Sequence, residues 1–260
     1  MSDGSGTPDT TSTTQPGQKG SRKALPWIIG GVVVVLLLVV GGPFLYINVF
    51  SEKAPERLSV SSGSGSGSGS SGSSTTKAAG TGVAVPVSSL NGTWKVSSGS
   101  EAGYRVKETL FGQSTEAVGR TKDVTGEVVV ADGKVPTASF TVDLTTVKSD
   151  KSQRDGQFNG RIMQTSQFPK ATFTLTSPID ISGLPTDGST GKVTATGDLT
   201  LHGVTKSVQI PLEATYDGTN IKVAGSLDVT FADYGIDNPS GGPAQVGDTG
   251  TLEVLLVLGK

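Results

Sequence analysis

The stretch VTATGDLTL, Val193–Leu201, places apolar or small residues at every odd position and polar residues at every even position. This period of two is the pattern of a β-strand with one face toward a core and the other toward solvent. Threonine fills three of the four polar positions, and threonine forms strands readily. The stretch therefore predicts a half-buried strand of the kind found in antiparallel sheets.

The same alternation recurs on both sides of this strand, and turn signals separate the repeats. Further strands are predicted around Thr93–Val96, Tyr104–Val106, Val124–Val130, Phe140–Leu144, Phe173–Leu175, Val208–Leu212, Ile221–Val223, Leu227–Phe231 and Thr251–Leu258. The turn signals are Asp132-Gly133, Asp187-Gly188, His202-Gly203 and Asp217-Gly218. A succession of short strands joined by short turns is typical of an up-and-down barrel or a sandwich. Residues 91–260 are therefore predicted to form one all-β, antiparallel domain.

Residues 149–167 interrupt this pattern and predict a short helical connection. Ser149 or Asp150 is a candidate N-cap, and Phe158, Ile162 and Met163 would supply the apolar side of the helix. Pro169 would end the connection before the next strand. A crossover of this kind can cover one end of a barrel.

Residues 27–50 carry no charged side chain and include a run of nine valines and leucines, 32–40. As a helix they would span about 36 Å, which exceeds the bilayer core of about 30 Å. We predict a single transmembrane helix, and a cleaved signal peptide is the alternative. Three basic residues precede the span and two follow it, so the bias favours a cytoplasmic N-terminus and an extracytoplasmic C-terminal domain in the cell membrane.

The regions flanking this span are polar. Residues 1–26 are rich in Ser, Thr, Gly and Pro and predict a disordered tail. Residues 51–90 predict a linker, because 61–74 contains only glycine and serine. The expected role of that linker is to tether the domain while holding it away from the membrane.

Composition excludes several kinds of chemistry. The chain has no cysteine and one histidine, which removes disulfides, thiolate metal sites, cysteine nucleophiles and sites with two imidazoles. The formal net charge of −2 gives no basic surface for nucleic acid. We therefore predict no cofactor, no metal and no nucleic-acid partner.

The candidate polar sites have structural interpretations that fit better. His202 lies at a predicted hairpin turn, and Arg154 and Asp155 fit ion pairing and capping on the helical connection. Asp233, Asp237 and Asn238 miss the spacing of a calcium loop, and turns favour these residue types. No nucleophile and base are paired in the sequence, so an enzyme is not predicted.

The inward face of the predicted sheet is the remaining candidate site. It is expected to carry Trp94, Tyr104, Val106, Phe140, Val142, Phe173, Leu175, Leu199, Val229 and Phe231. From the pattern alone, ordinary core packing is the favoured explanation of such a set. The small residues Ala195 and Gly197 on the same face would leave room for a ligand, and a barrel of about eight strands can enclose one.

Several segments carry a family resemblance. They are Gly92–Val96, Val142–Leu144 followed by Ser149-Asp150 and Arg154-Asp155, Phe168–Phe173, Gly197–Lys206 (GDLTLHGVTK) and Asp233–Ile236. In order and spacing they resemble the YceI-like family of polyisoprenoid-binding proteins, over about residues 91–258. Many members carry His-Leu where this chain has Gln157 and Phe158. The tail, the span and the linker are not part of the resemblance.

The resemblance implies a lipocalin-like antiparallel barrel whose tunnel holds an isoprenoid or another long-chain lipid, outside the bacterial cytoplasm. Together with the predicted span, it indicates a membrane-anchored lipid-binding protein of the cell envelope. The alternative is a non-enzymatic envelope interaction module with a fully packed barrel. A homodimer stays open as an assembly.

Overall fold

The computed structural model describes residues 54–61, 83–110, 112–241 and 244–260. The predicted disordered tail (1–26) and the predicted transmembrane helix (27–50) lie outside these residues. In the part of the chain that is described, no helix is both long enough and apolar enough to cross a bilayer.

The described residues form thirteen strands and one short α-helix. The strands are β1 (Gly92–Val96), β2 (Glu101–Leu110), β3 (Gln113–Thr121), β4 (Val124–Ala131), β5 (Lys134–Asp143), β6 (Lys148–Ser149), β7 (Lys170–Leu175), β8 (Ile179–Asp180), β9 (Gly191–Leu201), β10 (Val204–Tyr216), β11 (Ile221–Thr230), β12 (Ala244–Val246) and β13 (Thr249–Gly259). The helix is α1 (Ser152–Gln157), which continues as a π-helical turn, Phe158–Ile162. Short 3₁₀ turns occupy Val87–Leu90, Leu144–Thr146 and Phe231–Tyr234.

The strands close into an antiparallel barrel. Eight of them follow one another around the wall in the order β1-β4-β5-β7-β9-β10-β11-β13, and pairing of β13 with β1 closes the ring. The edge of β13 that faces away from β11 pairs with two strands. Its last residues pair with β1, and Thr251–Leu255 pairs with β2. β3 extends the sheet beyond β2. The predicted all-β, antiparallel barrel of about eight strands is confirmed.

Two of the long strands differ from the sequence prediction, and the short strands β6, β8 and β12 were not predicted. β11 is one continuous strand where two were predicted, since Gly225 and Ser226 keep their pairing with β13 through the middle. β3 was not predicted at all. Its sequence QSTEAVGRT is mostly polar or small, and its order comes from pairing with β2 along its whole length.

The helical connection forms where it was predicted, but its start differs. The N-cap residue is Lys151, which makes no side-chain capping hydrogen bond, so the predicted cap at Ser149 or Asp150 was wrong. The Ser149 hydroxyl instead donates to the carboxylate of Asp155 at 2.7 Å, and the Ser149 backbone N–H donates to the same oxygen at 2.8 Å. The start of α1 is therefore held through Asp155, a residue within the helix, rather than through its N-cap residue.

The predicted linker begins and ends with segments that contact the barrel. At its start, the backbone carbonyl of Pro55 accepts a hydrogen bond from Arg105 of β2 at 2.6 Å. At its end, the backbone N–H of Val85 donates to Thr186 at 3.1 Å, and Leu90 is buried in the core.

Candidate functional site

The interior of the barrel holds a cavity of about 770 Å³. Side chains that alternate along the strands line it, as on β13, where Leu252, Val254, Leu256 and Leu258 face inward. The lining is dominated by aliphatic and aromatic residues. This volume lies in the ordinary range for sites that bind a small molecule, roughly 300–1,000 Å³.

Nine of the ten residues predicted for the inward face line this cavity, namely Tyr104, Val106, Phe140, Val142, Phe173, Leu175, Leu199, Val229 and Phe231. Trp94 is placed differently. Its side chain is 2% exposed, but it packs behind the lining residues Leu90 and Tyr216. The Trp94 indole N–H donates to the carbonyl of Leu90 at 2.7 Å, which fixes the ring in the core. Ligand contact by the other nine stays a prediction.

The aromatic side chains of the lining lie along the wall, over glycines of neighbouring strands. A Cβ atom at Gly119 would stand 2.4 Å from Cε1 of Tyr104, its register partner across β2 and β3. A Cβ atom at Gly197 would stand 2.5 Å from Cζ of Phe173. Gly197 therefore accommodates a ring of the neighbouring strand rather than opening the cavity directly. Because the rings occupy space above glycines, they take up less of the barrel interior.

The helical connection covers one end of the cavity. Phe158, Ile162 and Met163, predicted as its apolar side, all line the cavity. Phe158 stacks on Tyr104 of β2.

Charged groups surround the same end and are paired with one another. Arg154 donates to Glu108 of β2 at 2.9 Å and also contacts Asp150. Arg154 and Glu108 both line the cavity. Burial raises the pKa of Tyr104 to about 12, while Arg154 acts in the opposite direction and the carboxylates of Asp155, Asp150 and Glu108 raise it further. Tyr104 therefore presents a neutral phenol at neutral pH.

The opposite end of the barrel is packed with apolar side chains. β5 runs from Val135 at this end to the 3₁₀ turn with Leu144 beside the helical connection. Leu90, Trp94, Val130 and Leu258 form the buried cluster at the Val135 end. The ring of Trp94 meets Tyr216 edge to face with centroids 6.2 Å apart. The polar groups that line the cavity thus lie mainly at the helical end.

The polar candidates from the sequence are not brought together. His202 lies in the β9–β10 turn with φ of +51°, is buried, and its Nδ1–H donates to the carbonyl of Tyr234 at 3.1 Å. Asp155 contacts Lys148 at 3.7 Å rather than its neighbour Arg154. Asp233 pairs with Lys206 at 2.9 Å. Each of the three therefore has a structural partner.

No metal-binding arrangement is found in the described parts of the chain, where no three or more His, Asp or Glu side chains cluster suitably. The absence of a metal and of a cofactor stays a prediction.

Several lining residues were missed in the sequence. Glu108, Lys151, Gln157 and Arg161 line the helical end of the cavity. They are polar, so an apolar alternation could not single them out. The available signal was their position at the end of a strand or on the crossover predicted to cover the barrel.

Comparison with known proteins gives a consistent result. The YceI-like domain matches residues 94–258, which is more than half of the chain. A UPF0312 protein of Shewanella sp. (strain ANA-3) is 31% identical over 148 residues, covering 53% of this chain and 73% of the relative. A UPF0312 protein of Vibrio parahaemolyticus is 32% identical over 114 residues. The chain spans about half the length of that relative, 55%, and 40% of a further one from Vibrio campbellii.

Two solved structures share the fold. A polyisoprenoid binding domain from Saccharophagus degradans, described as implicated in plant cell wall breakdown, superposes with a TM-score of 0.51 at 18% identity. The match covers 64% of this chain and 97% of that domain. BcnA of Burkholderia cenocepacia superposes with a TM-score of 0.50 at 21% identity, covering 62% of this chain and 98% of that protein. At these identities the likeness shows the fold alone.

Proposed function

Because the chain belongs to the YceI-like domain family, we propose that its barrel binds an isoprenoid or another long-chain amphiphile inside the cavity. The observation that carries this proposal is the open, largely apolar interior of about 770 Å³. Removing apolar surface of a ligand from water contributes roughly 25 cal/mol per Å². An apolar chain of a lipid would gain this along the whole lining.

The arrangement of polar groups supports a ligand with one polar end. Arg154, Glu108 and Tyr104 stand at the helical end of the cavity, whereas Leu90 and Tyr216 line the other end within an apolar cluster. A lipid headgroup would therefore lie beside the helical connection, with its chain directed toward Trp94. We infer binding without a chemical step, since the polar candidates His202, Asp155 and Asp233 lie apart with structural partners.

The open cavity counts against the alternative of an interaction module with a fully packed barrel. In a packed barrel, inward residues such as Val106, Leu199 and Val229 would fill the interior at the density of a protein core. Here they border open space instead.

Lipid binding can be tested on the full chain with a plug variant and a matched control. Ala195 lines the cavity on β9, and Ala195→Leu would project into the space that the ligand needs. Thr194, its exposed neighbour on the same strand, points outward, so Thr194→Leu adds similar apolar volume without entering the cavity.

Native mass spectrometry of the delipidated full chain in detergent would follow uptake of a polyprenol, with a saturated fatty alcohol of similar length for comparison. We expect a bound polyprenol on the wild type and on Thr194→Leu and reduced uptake by Ala195→Leu. Binding of the fatty alcohol but not of the polyprenol would reject an isoprenoid ligand and would leave another long-chain amphiphile as the ligand. A wild type that takes up neither would reject the proposal.

We further propose that residues 27–50 anchor the protein in a cell membrane, with the N-terminus cytoplasmic and the barrel extracytoplasmic. The uncharged length of this segment and the excess of basic residues before it support this arrangement. Extraction of cell membranes at alkaline pH, followed by protease treatment of intact cells, would test it. A protein released by the extraction would contradict anchoring, and a barrel protected in intact cells would contradict the orientation.

A further inference from the structure

A charged cluster lies on the outer face of the barrel wall. It consists of Arg105 on β2, Arg120 on β3 and Glu253 on β13, called here the outer-wall cluster. Arg105 follows Tyr104 and precedes Val106, which both line the cavity, so strand alternation turns Arg105 outward. Arg105 donates to Glu253 at 2.9 Å, and Arg120 lies 3.4 Å from the same carboxylate.

The outer-wall cluster is buried although it faces outward. The side chains of Arg105 and Glu253 are 4% and 2% exposed. Charged side chains are rarely buried this fully unless they are paired and covered. Part of that cover is the segment 54–60, which follows the predicted membrane span.

The contacts with this segment are polar and specific. The carbonyl of Pro55 accepts from Arg105 at 2.6 Å, and the carbonyl of Glu56 accepts from Arg120. From the segment, Arg57 reaches back to Glu253 at 3.3 Å. Hydrogen bonds to charged groups are stronger than those between neutral groups, and three of them join this short segment to the wall.

We propose that the outer-wall cluster is a docking surface for residues 54–60, so that the glycine-serine run after them forms a closed loop instead of a spacer. Both ends of residues 61–82 are attached to the same barrel, through Arg57 on one side and through Val85 on the other. Docking would attach the chain to the wall already at residues 54–60 rather than first at Val85. Were the segment free, residues 61–82 would add an r.m.s. reach of about 25 Å, taking 5–6 Å × √n for such a chain.

This proposal goes beyond lipid binding and does not depend on it. It concerns how the barrel is attached to whatever holds residues 27–50. The experiment therefore reads attachment alone and contains no lipid.

Cleavage of the glycine-serine run in the full chain tests the docking. A site for a sequence-specific protease is inserted after Gly69, and an affinity tag is placed before Met1. After cleavage in detergent, the barrel piece stays with the tagged N-terminal piece only if docking holds them together. The protein variants are Arg57→Gln on the segment, the double variant Arg57→Gln and Arg120→Gln, and Lys192→Gln as control. Lys192 forms an exposed ion pair with Glu213 on other strands, at 3.2 Å.

We expect the wild type and Lys192→Gln to retain the barrel piece. In the double variant the retained fraction of the barrel piece should fall about tenfold or more, because hydrogen bonds to charged groups are removed on both the segment and the wall. Release of the barrel piece by the wild type would overturn the proposal. Equal retention by all variants would overturn it too, since the cluster would then not be the attachment.

A second measurement does not require cleavage and detects unfolding separately. The chain has no cysteine, so Ser61→Cys carries a single spin label beside the docked segment. We expect a restricted label in the wild type and a mobile one in the double variant, with far-UV circular dichroism unchanged. A label that is equally mobile in both would contradict docking.

Discussion

The rings of Tyr104 and Phe158 stack with their centroids 5.1 Å apart and their planes inclined by 12°. Tyr104 belongs to the wall strand β2, whereas Phe158 follows α1 in the helical connection. This contact therefore ties the cover of the cavity to its wall. Stacked aromatic pairs contribute about 0.5–1.5 kcal/mol beyond the burial of their surface.

Phe158→Ala should loosen the cover of the cavity. Removing a buried phenylalanine side chain costs about 3–5 kcal/mol in a closed core. Phe158 borders open space, so we expect the lower part of that range in the free energy of unfolding, measured with denaturant. Phe158→Leu, which keeps a large apolar side chain at this position, should cost less than about 1.5 kcal/mol. Equal losses for the two variants would show that the apolar volume at this position is not what holds the cover.

Gly119→Ala should drive the Tyr104 ring into the cavity. A Cβ atom there meets Cε1 of Tyr104 at 2.4 Å, so the ring must move. We expect a destabilisation of about 1–3 kcal/mol, as for other overpacked cores, and reduced polyprenol uptake by native mass spectrometry. The control is Gly156→Ala in α1, where a Cβ atom meets nothing within 4 Å. If both alanine variants bind polyprenol like the wild type, the ring does not need the space above Gly119.

Tyr104 should make stability fall at alkaline pH. Burial raises its folded-state pKa to about 12, above the ordinary value of 10.0. Between about pH 10 and 12 the unfolded chain releases this proton while the folded chain keeps it, so stability is present below pH 10 and is lost as the pH rises.

Tyr104→Phe lacks this proton and should lose less stability over the same window, by about 2 kcal/mol. Denaturant unfolding of both proteins at pH 9 and at pH 11.5 measures the difference. A parallel pH dependence of the two would contradict the assigned pKa.

The outer-wall cluster should respond differently to one substitution and to two. Burial acts to lower the pKa of Arg105, but its hydrogen bonds to Glu253 and Glu116 raise it overall, so the guanidinium stays charged. Glu253→Leu would leave this buried cation with Glu116 as its remaining carboxylate. Breaking a buried pair in this way costs about 3–5 kcal/mol.

Replacing both partners, as Arg105→Met with Glu253→Leu, should recover much of this loss because no buried charge remains unpaired. Thermal or denaturant unfolding of the single and double variants measures the coupling. A double variant that is as unstable as the sum of the two single ones would show that the pair does not act as a unit.

The sequence predicted the barrel because its inward positions follow a period of two. Val193 to Leu201 alternates clearly, and nine of the ten inward residues named from such alternation along the strands line the cavity. β3 was not predicted because Gln113, Thr115 and Glu116 give it no apolar face. Its place is decided by pairing with β2, which one strand's sequence cannot show.

The outer-wall cluster could not be predicted either. Arg105 and Glu253 lie 148 residues apart and meet only because β13 pairs with β2. The contact with Pro55 uses a backbone carbonyl, which carries no signal in the sequence. Trp94 is a different case. Its alternation with Val96 correctly indicated a buried side chain, but a hydrogen bond to the carbonyl of Leu90 holds its indole behind the residues that line the cavity.

The position of β13 in the wall has a consequence for folding during synthesis. β13 pairs with β11 on one side and with β1 and β2 on the other. These three strands are synthesised earlier and lack this pairing partner until β13 has been made. The wall cannot close on the ribosome until residues 249–259 have emerged, and translation adds roughly 5–20 residues per second. Until then β1, β2 and β11 present unpaired edges, the kind of surface that chaperones and export factors protect from aggregation.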